Sequence, residues 1–281
     1  MNERYSHQFH AGNVGDVWKH TVLTSLVAAL VRSGKPLHVV ETHAGAGRYA
    51  LGPTGEWTEG IGKLWASPPA APAGVTRFLG LAPTSEGGKR LYPGSPQLTL
   101  ALLGQGDRAS YYELERDTCD ELVTALAGDP RAEVHQGDGL AALPQLLRDA
   151  PADQELLVVI DPPYSLKEDW TTIPQALVAA HALRPQTRFL LWYALKSYTR
   201  PNAMLQALAK TELTGITLEL ITTPLELQKN RLNGSGVLLV NAPEEVVVEA
   251  SAAAPVLGRL CATHAGRYTV RSVAWAEPWL R

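Results

Sequence analysis

The chain is poor in sulfur and in net positive charge. Cys119 and Cys261 are its two cysteines, too few for a disulfide framework or a structural zinc site. Lysine and arginine number 25 against 28 aspartate and glutamate, a formal charge of −3. No global positive field therefore draws nucleic acid, and such a partner has to be met by a local basic patch. Residues 1–7 are polar and lack the apolar centre of a signal peptide. No apolar run approaches the length of a membrane span. A cytoplasmic protein is expected. The 281 residues, 45% of them hydrophobic, suffice for one large α/β domain or one domain with an insertion.

What the sequence does contain is alternation. Residues 5–20 read YSHQFHAGNVGDVWKH, an arm dense in aromatics, histidine and glycine that is solvated or faces substrate. A helix follows, with Asp16 as N-cap, ending near residues 33–34. The β-rich run at 37–42 enters HAGAGRYA at 43–50. A strand followed by a glycine turn marks a nucleotide-binding βα unit, since glycine allows a tight turn and close backbone approach to a ligand. Gly45 to Ala50 also fits the G-x-G-x-x-A of dinucleotide enzymes. The acid due about twenty residues on is missing, which weighs against a nicotinamide-dependent oxidoreductase.

Residues 51–94 lose this rhythm and are rich in Gly, Pro, Ala and Ser. They read as an inserted small helical subdomain, with short helices around 60–65 and 75–81, between the two parts of a main domain at 1–50 and 95–281. Insertions at this end of a sheet lie over the active site and often choose the substrate. Ser95 and Pro96 supply an N-cap and a proline at N1 for a helix through Leu98, Leu100 and Leu103.

A second strand at 110–115 ends in acids. One of Glu113 and Glu115 is placed to accept from ribose hydroxyls of a bound nucleoside, and the other faces solvent. A third strand at 132–135 leads to Gly137-Asp138-Gly139, where Asp138 is a helix N-cap, a nucleoside contact, or both. Strands at 156–160, 189–193, 216–221, 235–241 and 268–275, with helices near 173–183, 201–208 and 244–259, complete the pattern. It predicts a Rossmann-like α/β fold with a mostly parallel central sheet and helices on both faces.

The most informative stretch is LLVVIDPPY at 156–164. Five apolar residues read as a strand buried on both faces, central in the sheet. The strand stops at an acid, two prolines and a tyrosine, at the end where open α/β sheets place their chemistry. Pro162 and Pro163 fix φ and cannot donate to a ladder. The Asp161 carboxylate and a proline carbonyl offer two acceptors beside the Tyr164 ring. An exocyclic amine on a planar base offers two donors beside a flat face. Two acceptors gripping its hydrogens favour a pyramidal nitrogen with its lone pair out of plane, while Tyr164 stacks on the base.

A glycine turn after the first strand, an acid ending the second and D-P-P-Y ending the fourth resemble the class I S-adenosylmethionine-dependent amino-methyltransferases. The segments YSHQFHAGN with Asp16 and Lys19-His20, THAGAGRY at 42–49, Glu59-Gly60-Ile61, YPGSP at 92–96, Leu191-Trp192-Tyr193 and Ser235-Gly236 extend the match nearly end to end. They resemble the RlmJ family, bacterial 23S ribosomal RNA adenine-N6 methyltransferases. Some members carry proline where this chain has Ala194.

The resemblance implies S-adenosylmethionine as methyl donor, without a metal, above Gly45 and Gly47 of the glycine turn. Its contacts would be His20, His43, Ser95, Glu113, Asp138, Gly139 and Asp161. Asp161 would hold the adenine amine as catalytic residue, with Pro162, Pro163 and Tyr164 completing the corner, and Tyr5 would approach the substrate. The implied partner is 23S rRNA free of, or before full assembly with, ribosomal proteins, met by a monomer. Arg4, Lys19, Arg48, Lys63 and Lys196 are candidate phosphate contacts. A DNA adenine or protein-amide methyltransferase shares the same chemistry, and a non-catalytic RNA-binding scaffold is the remaining alternative.

Overall fold

The computed structural model describes residues 7–66, 70–85, 88–227 and 232–274. Helices α1 (His7–His10) and α2 (Val14–Arg32) precede strand β1 (Leu37–Glu41) and the short β2 (Arg48–Ala50). Then come α3 (Ile61–Ala66), α4 (Ala73–Leu81), β3 (Leu91–Pro93), α5 (Ser95–Leu100), β4 (Arg108–Glu113), α6 (Arg116–Leu126), β5 (Ala132–Gln136) and α7 (Gly139–Asp149). The remainder is β6 (Glu155–Ile160), α8 (Asp169–Leu183), β7 (Arg188–Leu195), α9 (Thr199–Leu208), β8 (Ile216–Ile221), β9 (Gly234–Val240), α10 (Glu244–Cys261) and β10 (Thr269–Ala274).

Eight strands form one sheet in the order β10-β8-β9-β7-β6-β1-β4-β5. Strands β5, β4, β1, β6 and β7 run parallel, while β9 runs antiparallel between β7 and β8, and β10 antiparallel along β8. The apolar run at 156–160 is β6, central between β1 and β7. Successive side chains on a strand point to opposite faces, and β6 shows why both parities are apolar. Leu157 and Val159 join a core layer with α2, α4 and α10 residues such as Leu23, Phe78 and Ala253. Leu156, Val158 and Ile160 join a second layer with Leu143 of α7, Leu177 of α8 and Met204 of α9.

Helix α2 is long and apolar enough to cross a membrane by length and composition, contrary to the sequence expectation. It lies instead in the protein core, with Val17, Trp18, Val22, Leu23, Leu26 and Val27 fully covered and the Trp18 indole donating to the Leu218 carbonyl of β8. Its N-cap is Asn13, not Asp16. The Asn13 Oδ1 accepts from the Asp16 amide, and Asp16 Oδ2 accepts from the Gly12 amide, so Asp16 stands at the third helical position and closes a reciprocal cap. Gly94, rather than Ser95, caps α5, with Pro96 in its first turn, and that helix stops at Leu100.

Strands β2 and β3 pair antiparallel and close the base of the segment between them. Helix α4 packs beside α2 and α10, tied there by Arg77, which donates to Glu249 and to the Ser25 hydroxyl. The segment meets the end of the sheet only along one border, where Glu56 accepts from Asn13 and pairs with His10.

Candidate active site

A cavity of about 760 Å³ opens at the carboxyl ends of β1, β4, β5, β6 and β7, a size suited to a nucleoside-sized ligand. Its wall contains Lys19, His20, His43, Gly45, Ser95, Glu113, Asp138, Gly139, Asp161, Pro162 and Pro163, so one end of the sheet gathers most of the expected site. Tyr5 and Arg4 lie outside the described residues. Gly47 stays behind the wall, with φ +72° and its carbonyl accepting from the Gly94 amide.

Asp16, Lys19 and His20 sit at i, i+3 and i+4 on α2 and so share one face, which borders the cavity. Lys19 is 6% exposed. Its ammonium donates to Asp16 Oδ1 at 2.9 Å and to Asp161 Oδ2 at 2.5 Å. Burial alone would lower the Lys19 pKa, but the two carboxylates outweigh it and hold the ammonium well above its ordinary value. Burial likewise opposes the Asp16 charge, and Lys19 more than offsets this, leaving that carboxyl below its usual range. Lys19 is thus an internal charge partner of Asp161 rather than a surface phosphate contact.

His20 is buried, with Nδ1 2.8 Å from the Tyr92 hydroxyl and Nε2 without a partner. Burial, then the Lys19 charge, pushes its pKa down to about 3, so the imidazole is neutral. His43 Nδ1 lies 2.8 Å from the Thr42 hydroxyl, and burial lowers its pKa too. Glu113 is the strand-end acid that meets the glycine turn. Its carboxylate accepts from the Gly45 amide and the Glu115 amide, both at 2.9 Å. Asp138 caps α7 with Oδ1 accepting from Leu140 and Ala141, and it also borders the cavity. Gly139 has a packing reason for its identity, since a Cβ there would stand 2.5 Å from the Thr42 Cα.

At Gly45 φ is +65°, and a Cβ would lie 2.3 Å from the Tyr49 hydroxyl oxygen, which accepts from the Ala46 amide. Gly45→Ala is expected to cost ~1–2 kcal/mol of stability through left-handed strain and to displace the Tyr49 hydroxyl. Urea unfolding measures the first effect.

Glu41, at the end of β1, is a carboxylate that sequence reasoning passed over. It is fully buried and accepts from the Ser95 hydroxyl at 2.7 Å and the Thr99 hydroxyl at 3.2 Å, fixing Ser95 at the cavity edge. Burial pushes its carboxyl from 4.5 up to about 7. A carboxyl that holds its proton more tightly folded than unfolded contributes fully below about pH 4.5, and the contribution is lost as pH rises through about 7. Relative to wild type, Glu41→Gln should therefore gain stability across that window, by ~2–3 kcal/mol, and level off above it. Paired denaturation curves over the pH range check this.

The corner after β6 sends its two functional side chains to opposite layers. Continuing the β6 alternation one residue past Ile160 puts Asp161 on the α2 side, where Lys19 waits. Tyr164 has φ +51°, a left-handed conformation that a tyrosine adopts only under constraint. Its hydroxyl donates to the Trp192 carbonyl at 3.1 Å, and its ring stacks on Trp170 with centroids 4.1 Å apart. The ring packs against the second core layer and does not border the cavity. The aromatic ring that does border it is that of Trp192. Among the candidate cations, Lys63 pairs with Glu59 and donates to the carbonyls of Cys261 and Ala262 at the end of α10. Arg48 and Lys196 are exposed.

A parallel sheet reversed at β9, with a polar cavity over the glycine turn after β1, defines a class I methyltransferase fold. A family model described as "Ribosomal RNA large subunit methyltransferase D, RlmJ" matches residues 34–276, and the chain belongs to that family of ribosomal RNA methyltransferases. It is similar to Ribosomal RNA large subunit methyltransferase J of Escherichia coli (strain K12), at 31% identity over 283 residues, covering 98% of this chain and 99% of that one. The protein of the same name from Haemophilus influenzae is 30% identical over 284 residues, with the same shares covered. Among solved structures, protein LPL1258 of Legionella pneumophila is similar with a TM-score of 0.87 and 27% identity, covering 94% of this chain and 98% of that one.

Proposed function

We propose that the chain methylates the exocyclic N6 of an adenine in 23S ribosomal RNA, with S-adenosylmethionine as donor. The observation that carries this reading is Asp161 on a proline-stiffened corner in the cavity wall, paired to the buried Lys19. His20, His43, Gly45, Ser95, Glu113, Asp138 and Gly139 would hold the donor. The fit is supported by the orphaned Nε2 of His20 and by the open space that glycine leaves at position 45. When bound, S-adenosylmethionine supplies a methyl group already activated on a sulfonium.

The protein's own part is positioning and electrostatics. A target adenine is swung out of its stack, at a cost of a few kcal/mol that contacts in the site offset. The Asp161 carboxylate and the Pro162 or Pro163 carbonyl accept the two N6 hydrogens. This favours a pyramidal nitrogen and fixes the direction of its lone pair. The Lys19 ammonium keeps Asp161 anionic and pins one of its oxygens. The proton released from N6 passes to Asp161 or through it to water. Tyr5 belongs to the arm that would approach the substrate. The segment at 51–94 would act as a small subdomain that influences RNA choice, and the enzyme would work as a cytoplasmic monomer on RNA free of ribosomal proteins.

Offering the protein labelled S-adenosylmethionine with deproteinised ribosomal RNA, DNA and protein in parallel tests this. Label should enter RNA, as N6-methyladenosine. Label in DNA or protein alone would favour the other amino-methyltransferase readings.

A further inference from the structure

Trp192 lies in β7 with Leu190 on the α2 side of the sheet, the side to which Asp161 turns. Its indole borders the cavity, and the Lys19 ammonium that grips Asp161 lies 5.8 Å from the ring centroid. Its six-membered ring reaches toward Gly15 of α2, where an added Cβ would stand 3.4 Å from Cζ2. That packing locks the ring in place. The indole Nε1 has no hydrogen-bond partner. The backbone carbonyl of the same residue takes the Tyr164 hydroxyl at 3.1 Å, and the two rings are tilted with centroids 6.3 Å apart. Tyr164 is committed to Trp170 on one face and to this carbonyl at its tip, and its ring lies off the cavity wall.

From this arrangement we infer that Trp192 is the aromatic platform for the target base, and that Tyr164 is a positioning residue which sets the corner through the Trp192 carbonyl. The inference rests on the adenine reading above and deepens it. A purine whose amine reaches Asp161 occupies the space that the indole borders. Aromatic stacking is tolerant of base identity, so Trp192 would supply affinity for the extruded base, while Asp161 and the proline carbonyl select its amine. The indole N–H, unsatisfied in the free protein, adds a donor that suits the ring-nitrogen acceptors of a purine.

The test measures KM for deproteinised ribosomal RNA at saturating S-adenosylmethionine, alongside the dissociation constant for S-adenosylmethionine by calorimetry. Trp192→Leu should raise the RNA KM by about tenfold or more and leave the donor affinity within about twofold. Trp192→Phe, which keeps a ring, should recover most of the loss. Tyr164→Phe, which removes only the hydroxyl, should lower kcat more than it raises KM. Should Trp192→Leu fail to bind the donor, Trp192→Phe against Trp192→His supplies the comparison, with RNA KM rising in the order Trp, Phe, His. An RNA KM for Trp192→Leu within about twofold of wild type, or for the His variant no higher than for the Phe variant, would overturn the assignment. Loss of the platform alone leaves the wild-type protein methylating adenine. If the wild type itself transfers nothing to RNA, the proposed function fails instead.

Discussion

Asp161→Ala should abolish methyl transfer while leaving donor binding largely intact. Turnover on ribosomal RNA is expected to fall by about a thousandfold or more, the scale seen when a group acting on the reacting atoms is removed. The variant loses the acceptor for an N6 hydrogen, and no neighbouring side chain replaces it. The Lys19 ammonium keeps Asp16 at 2.9 Å, so its charge remains paired and the fold survives. The stability cost should stay below the ~3–5 kcal/mol typical of stranding a buried charge. Asp161→Asn sharpens the test, because it preserves the shape of the side chain and removes the charge. Single-turnover kinetics and calorimetric binding of S-adenosylmethionine separate the two effects. Near-native turnover in either variant would remove Asp161 from the mechanism.

Lys19→Met should be the most destabilising single change at the site. It leaves Asp16 and Asp161 facing a buried space that no longer holds their cation. A loss of ~3–5 kcal/mol is expected at neutral pH, together with a fall in turnover of about a hundredfold or more as Asp161 loses its fixed orientation. The pH dependence carries the diagnosis. In the wild type the Asp16 carboxyl is held below its ordinary range. Its contribution is therefore present above the unfolded pKa and lost as pH falls through the lower folded value. Without Lys19, burial is left to raise that carboxyl. Its contribution then reverses sign, fully present at low pH and lost on the way up. The stability gap between wild type and Lys19→Met should accordingly narrow from pH 8 to pH 5. Guanidinium unfolding at the two pH values measures it, and a constant gap would mean that Lys19 contributes by packing alone.

The parts of this molecule that could be read from sequence are those fixed by local chemistry. β6 announced itself because a strand buried on both faces has to be apolar at every position, and Asp138 was legible as a cap because an acid before a helix has few other local uses. Asn13 and Asp16 are three residues apart and both are good capping types, so periodicity alone could not say which one begins α2. The capping role fell to Asn13 once Asp16 was drawn to Lys19 and the Gly12 amide. A lysine three residues after an acid, in a helix otherwise apolar enough for the core, was the available sign of a buried ion pair.

Other features depend on partners distant in the chain. The side on which Tyr164 falls follows from its positive φ, and that is held by Trp170 and the Trp192 carbonyl, six and 28 residues away. Lys63 could be placed at the end of α10 only once the segment containing α3 was seen to pack there. Glu41 became visible as a proton-holding group when α5 brought Ser95 and Thr99 against it. The insertion of β9 between β7 and β8 likewise leaves no local mark, since all three strands are similarly apolar.

The most direct test of the account is nucleoside mass spectrometry with position mapping of 23S ribosomal RNA from cells with and without this protein. One N6-methyladenosine should disappear on deletion, return with the wild-type gene and stay absent with the Asp161→Ala allele. A 23S RNA whose N6-methyladenosine content is the same in the presence and absence of the protein would contradict it.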